Sequence, residues 1–309
     1  MLKILLIILI LLAIFLIIVM IIDDHRFITR EYTVSSDRIR QAHTFVFLTD
    51  MHGNIYGEDN ASVMEAICQA NPEAVLIGGD MITASRAAEG KSGWYRPFLS
   101  LMHRVTAVCP VFCVNGNHEI KVDDPLFAED YGGAYGEYDA ALRAEGIRTV
   151  RNGSMTVGEL SGKAHSDNIR IYGMETEDEL YRKFHRRCID PDYVTSKLGT
   201  PDRTVFNIVV THHPKDFDAC AEWGCDLCVS GHIHGGLMRL PGIGGVVSPD
   251  PAFFPKYSGG RYEHHCADGR NAVLVLSCGL GAHSMPFRVF NPGEISVIHL
   301  VPDDIRRGR

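Results

Sequence analysis

Five short polar blocks carry the residues of this chain that are best suited to chemistry. They are Asp50-Met51-His52, Gly79-Asp80, Gly116-Asn117-His118-Glu119, His212-His213-Pro214 and Gly231-His232-Ile233-His234. Each block follows an apolar, strand-like run, so each is expected on a loop where a strand ends. Open α/β sheets build their sites at such strand ends.

The side chains in these blocks suit two adjacent metal ions. Carboxylates combined with imidazoles favour zinc, iron or manganese over calcium. The seven candidate ligands are Asp50, His52, Asp80, Asn117, His212, His232 and His234. Asp80 is the candidate bridge, because one carboxylate can hold two ions roughly 3.5–4 Å apart. His213 is an alternative to His212, since neighbouring side chains of an extended segment face opposite ways and only one of the two is expected to be a ligand.

Two ions at this spacing predict hydrolysis of a phosphoester. They would lower the pKa of a bridging water, supply hydroxide near neutral pH and hold two phosphoryl oxygens as charge develops. The leaving alkoxide then needs a proton, and His118 is the candidate general acid. Each block alone is weak evidence, because a capped turn after a strand needs no function. All five in order predict a dinuclear metal hydrolase.

The alternation of strands and helices predicts the α/β layers that must position the blocks. Predicted strands cover 29–36, 45–48, 74–77, 111–114, 169–172, 205–210 and 227–229, and predicted helices cover 61–71, 95–107, 136–146 and 215–222. Residues 174–204 are charged and predicted to be helical, as a lid or an insertion. The runs at 273–277, 287–290 and 294–300 are predicted to form β hairpins that close a second sheet.

An uncharged apolar run at residues 4–22 is long enough to span a bilayer as one helix. No small-x-small cleavage site follows it, which favours an uncleaved anchor over a removed signal peptide. We therefore divide the chain into an anchor with a polar tether, residues 1–28, and a catalytic domain, residues 29–309. Lys3 before the span and Asp23 after it favour a single-pass protein of the cell membrane with its catalytic domain outside the cytoplasm.

The aromatic pair Phe253-Phe254 has two interpretations beside such an anchor. If exposed, it could dip into the bilayer; otherwise it anchors a buried loop. The net charge of −8 argues against a nucleic-acid partner, because phosphate-binding domains are usually basic.

The chain has nine cysteines, an odd number, so they cannot all form disulfide pairs within the chain. Most lie in or beside apolar runs and are predicted to be small buried side chains. Cys225-x-x-Cys228 leaves a redox or zinc role as an alternative.

The blocks closely resemble the pattern of the calcineurin-like metallophosphoesterases, which reads D-x-H, G-D, G-N-H-[D/E], H and G-H-x-H. The chain is similar to their membrane-anchored bacterial branch, because an N-terminal anchor is combined with Gly-His-x-His-Gly-Gly and then Arg239-Leu240-Pro241. The C-terminal Ser277-Cys278-Gly279 and Pro286-Phe287-Arg288 also look like that branch.

This resemblance implies a four-layer α/β/β/α sandwich of two mixed sheets. It also implies an assignment of ligands in which Asp80 is shared. The first ion would be held by Asp50, His52, Asp80 and His234, and the second by Asp80, Asn117, His212 and His232. The fourth block of the family often reads His-x-Pro, which selects His212 over His213. The Asp-Arg pair of the related protein phosphatases is absent after Asp80, so that activity is disfavoured.

The predicted substrate is a phosphodiester, a phosphomonoester or a pyrophosphate. A membrane tether confines the site to lipid headgroups and envelope intermediates, which makes a lipid-linked substrate plausible. The cofactors are two divalent ions, with Mn, Fe, Zn and Mg left open. The alternatives are a membrane-bound sensor or scaffold with a structural metal site, and a redox protein that uses Cys225 and Cys228. The oligomeric state is not predicted.

Overall fold

Helices and strands alternate through most of the chain, for which a computed structural model describes residues 1–89, 93–162, 167–181, 189–236, 238–240, 242–247, 253–282 and 287–303. The helices are α1 (Leu2–Asp24), α2 (Ala61–Ala70), α3 (Ala84–Ala88), α4 (Arg96–Val105), α5 (Asn117–Asp123), α6 (Ala128–Tyr131), α7 (Ala134–Ala144), α8 (Val157–Ser161), α9 (Pro191–Leu198) and α10 (Phe217–Trp223). The strands are β1 (Phe27–Ser36), β2 (His43–Leu48), β3 (Ala74–Ile77), β4 (Val111–Cys113), β5 (Gly153–Thr156), β6 (Ile169–Met174), β7 (Phe206–Thr211), β8 (Leu227–Ser230), β9 (Arg239–Leu240), β10 (Gly244–Gly245), β11 (Gly260–His265), β12 (Asn271–Leu276) and β13 (Gly293–Pro302). Short 3₁₀ turns cover Glu58–Asn60, Pro125–Phe127, Asp178–Tyr181 and Pro214–Asp216.

Two mixed sheets carry the fold. The first has the order β1-β13-β2-β3-β4, and its pairs are parallel except for β13 with β2. The second has the order β11-β12-β8-β7-β6-β5, with antiparallel pairing at its two edges. The strands β9 and β10 form a separate small hairpin.

The side chains of each strand alternate between two cores, which produces four layers. Phe45 and Phe47 of β2 pack between the sheets together with Ile208 of β7. Val46, on the other face of β2, packs against α2, α4 and α7. Val209, on the outer face of β7, packs against α9 and α10. The predicted α/β/β/α sandwich of two mixed sheets is confirmed.

The predicted C-terminal hairpins are wrong. Strand β12 does join the second sheet, but β13 crosses to the first sheet and lies between β1 and β2. Both faces of β13 are buried, Ile295 against the helices and Ile298 between the sheets. A strand with two apolar faces needs a position inside a covered sheet, and neighbouring segments of the sequence cannot indicate which sheet that is. Residues 287–290 form no strand, and only Val289 makes an isolated bridge.

The helix α1 is long and apolar enough to cross a membrane by length and composition. The predicted tether is shorter than expected, because α1 continues to Asp24 and β1 begins at Phe27. The buried Asp23 carboxylate accepts a hydrogen bond from the Asn291 N–H at 2.8 Å, which ties the end of α1 to the loop before β13. The division of the chain at residue 28 stays a prediction.

The predicted helical character of residues 174–204 is confirmed in part by α9 and the turn Asp178–Tyr181. Residues 182–188 lie outside the described residues. A lid role for this region stays a prediction.

His43 joins the two sheets at the start of β2. Its Nδ1 lies 2.9 Å from the Glu73 carboxylate, and its Nε2 lies 2.9 Å from the Asp167 carboxylate just before β6. Burial lowers the pKa of His43, but the hydrogen bonds to these two carboxylates outweigh burial and raise the pKa above its ordinary value. His43 therefore contributes stability that is fully present below the unfolded pKa of about 6.5 and is lost as pH rises through the folded pKa.

We expect His43→Gln to lower the melting temperature more at about pH 6 than at about pH 9. Thermal unfolding of the full chain at both pH values measures the difference. His103→Gln is the matched control, because the His103 ring is exposed and pairs with Glu145. Equal losses at the two pH values for His43→Gln would contradict a charged His43 at low pH.

Candidate metal centre

All seven predicted ligands meet at one edge, where the carboxyl ends of strands from both sheets come together. Asp50 and His52 follow β2, Asp80 follows β3 and Asn117 begins α5 after β4, while His212 follows β7 and His232 and His234 follow β8. The expectation that each block ends a strand is met in all five cases.

The first cluster contains Asp50, His52 and His234, whose donor atoms lie within 4.8 Å of one another. The Nδ1–H groups of His52 and His234 donate to the backbone oxygens of Ile82 and Gly281, at 3.3 and 3.0 Å. In the neutral rings the lone pairs are therefore on Nε2, and these two Nε2 atoms lie 3.2 Å apart. Two facing lone pairs repel each other unless a cation lies between them, so this pair fits a metal ion.

The second cluster contains Asp80, His212 and His232, again with donor atoms within 4.8 Å. His212 donates from Nδ1 to the Gly78 oxygen at 2.8 Å, which leaves its Nε2 at 3.2 Å from Asp80 Oδ2 and 3.3 Å from His232 Nδ1. Asn117 Oδ1 lies 2.8 Å from His232 Nδ1. The amide oxygen of Asn117 thus joins this second group.

Asp80 lies between the two clusters. Its Oδ2 is 3.2 Å from His212 Nε2 and 3.9 Å from His52 Nε2, so one oxygen faces a histidine of each group. Burial would raise the pKa of Asp80, but His212 and His118 hold it well below its ordinary value. Burial raises the pKa of Asp50 to about 6. Two buried carboxylates in one pocket favour a bound cation.

The backbone at the site is strained. Five of the predicted ligands adopt a left-handed conformation: Asp50 (φ 52°), His52 (50°), Asp80 (54°), His232 (70°) and His234 (52°). Glycine permits the close approach of these loops, since a Cβ atom on Gly231 would lie 2.1 Å from Asp50 Oδ2. Non-glycine residues with positive φ are uncommon and cluster at functional sites.

His118 has a different tautomer from His52, His212 and His234. Its Nδ1 accepts the backbone N–H of Ala84 at 3.0 Å, so in the neutral ring the proton is on Nε2. A ring nitrogen of His118 lies within 4.8 Å of donor atoms of His52 and Asp80. This tautomer suits a proton donor, whereas His52, His212 and His234 present a lone pair at Nε2.

The two neighbouring histidines of the fourth block have separate environments. His212 faces Asp80, as described above. His213 Nδ1 accepts the Lys215 N–H at 3.2 Å and caps the turn Pro214–Asp216. The geometry favours His212 as the ligand and His213 as the structural residue.

Sequence reasoning gave no role to Glu119, which holds two of the loops together. Its buried carboxylate accepts backbone N–H groups of Asp80 (2.8 Å), Met81 (2.9 Å), Ile82 (3.3 Å) and Gly116 (2.9 Å). Burial raises the pKa of Glu119 to about 7, while these backbone donors favour the ionised form. An acidic residue in the first turn after a glycine N-cap was the available sequence signal.

We expect Glu119→Gln to weaken metal binding about 10–100-fold, because the loop that carries Asp80 loses its anchor. The amide has only one acceptor oxygen, and its NH₂ group opposes the backbone donors, so unfolding should become easier by about 1–3 kcal/mol. Manganese titration and urea unfolding of the full chain measure the two effects. Glu137→Gln is the control on an exposed helix position, and an unchanged metal affinity in Glu119→Gln would contradict the anchoring role.

The segment before β13 supports His234, a role that the sequence did not reveal. Asn291 Nδ2 donates to the backbone oxygens of His234 and Gly236, at 2.7 and 2.6 Å. The buried Arg288 donates to the Gly281 oxygen, which also accepts His234 Nδ1–H. The contacts of His234 with Asn291 and Gly281 join residues more than forty positions apart, so they follow from tertiary structure.

Two further side chains lie close to the site. The Tyr181 ring is 5.4 Å from the His232 ring, centroid to centroid. Arg86 on α3 lies beside Gly53, where a Cβ atom would be 2.8 Å from Arg86 Nη1. The chain lacks an arginine directly after Asp80, but α3 brings this cation next to the loop of His52.

The prediction of buried cysteines is confirmed for Cys225 and Cys228, which pack with Cys220 in the outer core of the second sheet. Burial raises the pKa of the Cys225 thiol well above its ordinary value, which disfavours the reactive thiolate. Among the described residues, neither cysteine belongs to a group of side chains that could hold a metal ion.

The chain is similar to several known proteins. A model of the calcineurin-like phosphoesterase family matches residues 43–236, a range that contains all seven predicted ligands. The uncharacterized metallophosphoesterase YkuE of Bacillus subtilis is 27% identical over 288 residues, which cover 90% of this chain and 87% of that protein. The uncharacterized protein YpbG of the same organism is 24% identical over 278 residues, which cover 88% of this chain and 86% of that protein. The crystal structure of TT1561 of Thermus thermophilus covers 77% of this chain and 89% of its own, with a TM-score of 0.44 and 8% identity.

Proposed function

Because the chain belongs to the calcineurin-like phosphoesterase family and is a metal-dependent phosphoester hydrolase that uses two divalent ions, we propose that it hydrolyses a phosphodiester, phosphomonoester or pyrophosphate bond at the site described above. The observation that carries this proposal is the pair of Nε2 atoms of His52 and His234, 3.2 Å apart with their Nδ1 protons already donated. A sensor or scaffold does not require His118 beside such a pair.

The two clusters define which residues would hold the ions. One ion would be bound by Asp50, His52, Asp80 and His234, and the other by Asp80, Asn117, His212 and His232. When bound, two such ions lower the pKa of a shared water and offset negative charge on phosphoryl oxygens. The buried, hydrogen-bonded Asp80 would hold the two groups of ligands at a fixed distance from each other.

The chain's own side chains would then complete the reaction. The water would lose a proton to solvent, and its oxygen would bond to phosphorus while the bond from phosphorus to the leaving oxygen breaks. His118, whose ring the Ala84 N–H orients, would give its Nε2 proton to that leaving oxygen and recover one from solvent, so that the ring is neutral before and after the step. Arg86 is a candidate to bind a non-bridging oxygen of the substrate, as a fixed positive charge beside Gly53.

We further propose that α1 is an uncleaved membrane anchor and that the catalytic domain lies outside the cytoplasm. Its apolar length supports spanning, and the buried Asp23 links it to the domain. A lipid-linked or envelope phosphoester is the substrate class that such an anchor makes most accessible.

The proposal is tested with the full chain purified in detergent, stripped of metal with a chelator and reloaded with Mn, Fe, Zn or Mg. We expect two ions per chain and turnover only after reloading, against a panel of phospholipid, nucleotide-sugar and nucleotide esters together with bis-p-nitrophenyl phosphate. Two bound ions with no hydrolysis of any ester would reject the enzyme and favour a sensor or scaffold.

A further inference from the structure

A basic pocket outside the seven-ligand site is lined in part by Phe290, whose ring contacts Phe15 of α1. It has a volume of about 570 Å³, and the cations that line it are Arg30, Arg239, Lys256 and Arg261. No carboxylate is present among the described residues that line it. The lining therefore has the composition of a site for an anion.

The charge of Arg239 is the least compensated in this pocket. The other three cations each have a carboxylate partner outside the lining: Glu294 for Arg30 (3.1 Å), Asp218 for Lys256 (2.7 Å) and Glu263 for Arg261 (2.7 Å). Within the described part of the chain, Arg239 bonds only to neutral acceptors, the Gly235 and Ser258 oxygens and the Cys278 sulfur, all through Nη1. Its Nε and Nη2 donors suit the oxygens of a phosphate.

Large apolar side chains surround this pocket and are exposed. Ile243 and Phe290 line it with exposures of 65% and 38%, and the nearby Phe253 and Phe254 are exposed by 76% and 60%. Phe254 and Phe290 also have positive φ angles of 50° and 53°. A bulky residue rarely adopts this conformation, and here it does so without burying the ring. Phe253 and Phe254 are therefore exposed, and they do not anchor a buried loop.

The contact between Phe290 and α1 shows how deep this face would lie in a membrane. The Phe290 ring is 6.2 Å from the ring of Phe15. Phe15 comes seven residues before Ile22, the last apolar residue of the run, which is about 10 Å along a helix. If α1 spans a bilayer, Phe290 reaches below the plane at which the apolar run ends, and the basic pocket lies at headgroup level.

We propose that this pocket binds the headgroup of an anionic phospholipid from the membrane that α1 crosses. The lipid phosphate contacts Arg239, with Lys256 and Arg261 adding positive potential, and the acyl chains follow Phe253, Phe254 and Phe290. A phospholipid is favoured over a free phosphate because only a lipid uses both the cations and the apolar rim. The inference rests on the proposed anchoring by α1, but it does not require turnover.

The first test measures lipid binding by the full chain in neutral detergent micelles, by native mass spectrometry. We expect phosphatidylglycerol to bind at least about tenfold more tightly than phosphatidylcholine, and Arg239→Gln to weaken the phosphatidylglycerol complex about tenfold. Lys256→Gln, a change at an exposed side chain, should weaken it in the same direction without disturbing the fold. Arg143→Gln on α7 is the control, because Arg143 pairs with Asp139 and does not line the pocket.

Equal affinity for the two lipids, or an unchanged phosphatidylglycerol affinity in both Arg239→Gln and Lys256→Gln, would overturn the proposal. Inorganic phosphate that binds as tightly as phosphatidylglycerol would assign the pocket to a free anion instead. Neither outcome depends on hydrolysis, so each is distinguishable from a failure of the proposed enzyme activity.

The second test places Phe253→Trp in nanodiscs that contain phospholipids brominated near the headgroup. The natural tryptophans Trp94 and Trp223 are buried at 8% and 3% exposure and provide a low background. We expect strong quenching of the new tryptophan relative to the parent chain. A tryptophan that is not quenched, with an emission spectrum typical of water, would place this rim outside the bilayer.

Discussion

Replacing Asp80 with asparagine is expected to abolish phosphoester hydrolysis, with a fall in kcat/KM of about three orders of magnitude or more. Asp80 Oδ2 lies between His212 Nε2 (3.2 Å) and His52 Nε2 (3.9 Å), one histidine from each ligand cluster. Asparagine keeps the shape but loses the negative charge that both ions would share. Metal content should fall from two ions per chain to one or none.

Three measurements on Asp80→Asn separate a lost site from a lost fold. Hydrolysis of bis-p-nitrophenyl phosphate in manganese gives kcat/KM, elemental analysis gives the stoichiometry, and thermal unfolding reports stability. Asp226→Asn is the matched control, because Asp226 pairs with Arg38 at 2.7 Å and precedes β8, whereas the ligands follow that strand. A variant at Asp80 that keeps two ions and normal turnover would remove the shared ligand from the mechanism.

The convergence of the seven predicted ligands could be predicted from the sequence because a local rule was sufficient. Each block ends a strand, and the carboxyl ends of parallel strands meet at one edge of a sheet. The rule applies to β2, β3 and β4 in one sheet and to β7 and β8 in the other. A ligand's residue type and its place at a strand end are both visible in a single sequence.

The supporting residues could not be predicted in the same way. Glu119 binds N–H groups of two separate loops, and Asn291 reaches the His234 oxygen from the far end of the chain. The same limitation explains the misplaced C-terminal strand. Strand β13 is apolar on both faces and pairs with β1 and β2. It reaches the first sheet because residues 277–282 cross from the second sheet and hydrogen-bond to the backbone oxygens of Thr49 and Asp50. A contact between two distant segments of the chain leaves no periodic pattern in the sequence of either segment.

The chemical role of His118 predicts an effect that depends on the leaving group. An alkoxide leaves only with a proton, whereas p-nitrophenolate is stable without one. We expect His118→Gln to lower kcat about 10²–10⁴-fold for an alkyl phosphoester and far less for bis-p-nitrophenyl phosphate. Because His118 Nδ1 accepts the Ala84 N–H and leaves a proton rather than a lone pair on Nε2, two ions should remain bound.

The same variant separates a proton donor from a ligand. His118 shares a cluster with His52 and Asp80, with donor atoms within 4.8 Å, so its ring is close enough to either role. A ligand would affect both esters equally and would lower the metal content, because the ions serve every substrate. A proton donor affects only the ester with the poor leaving group. If His118→Gln lowers kcat equally for the two esters and also lowers the metal content, His118 is a metal ligand. The proposed proton donor to the leaving oxygen would then be wrong.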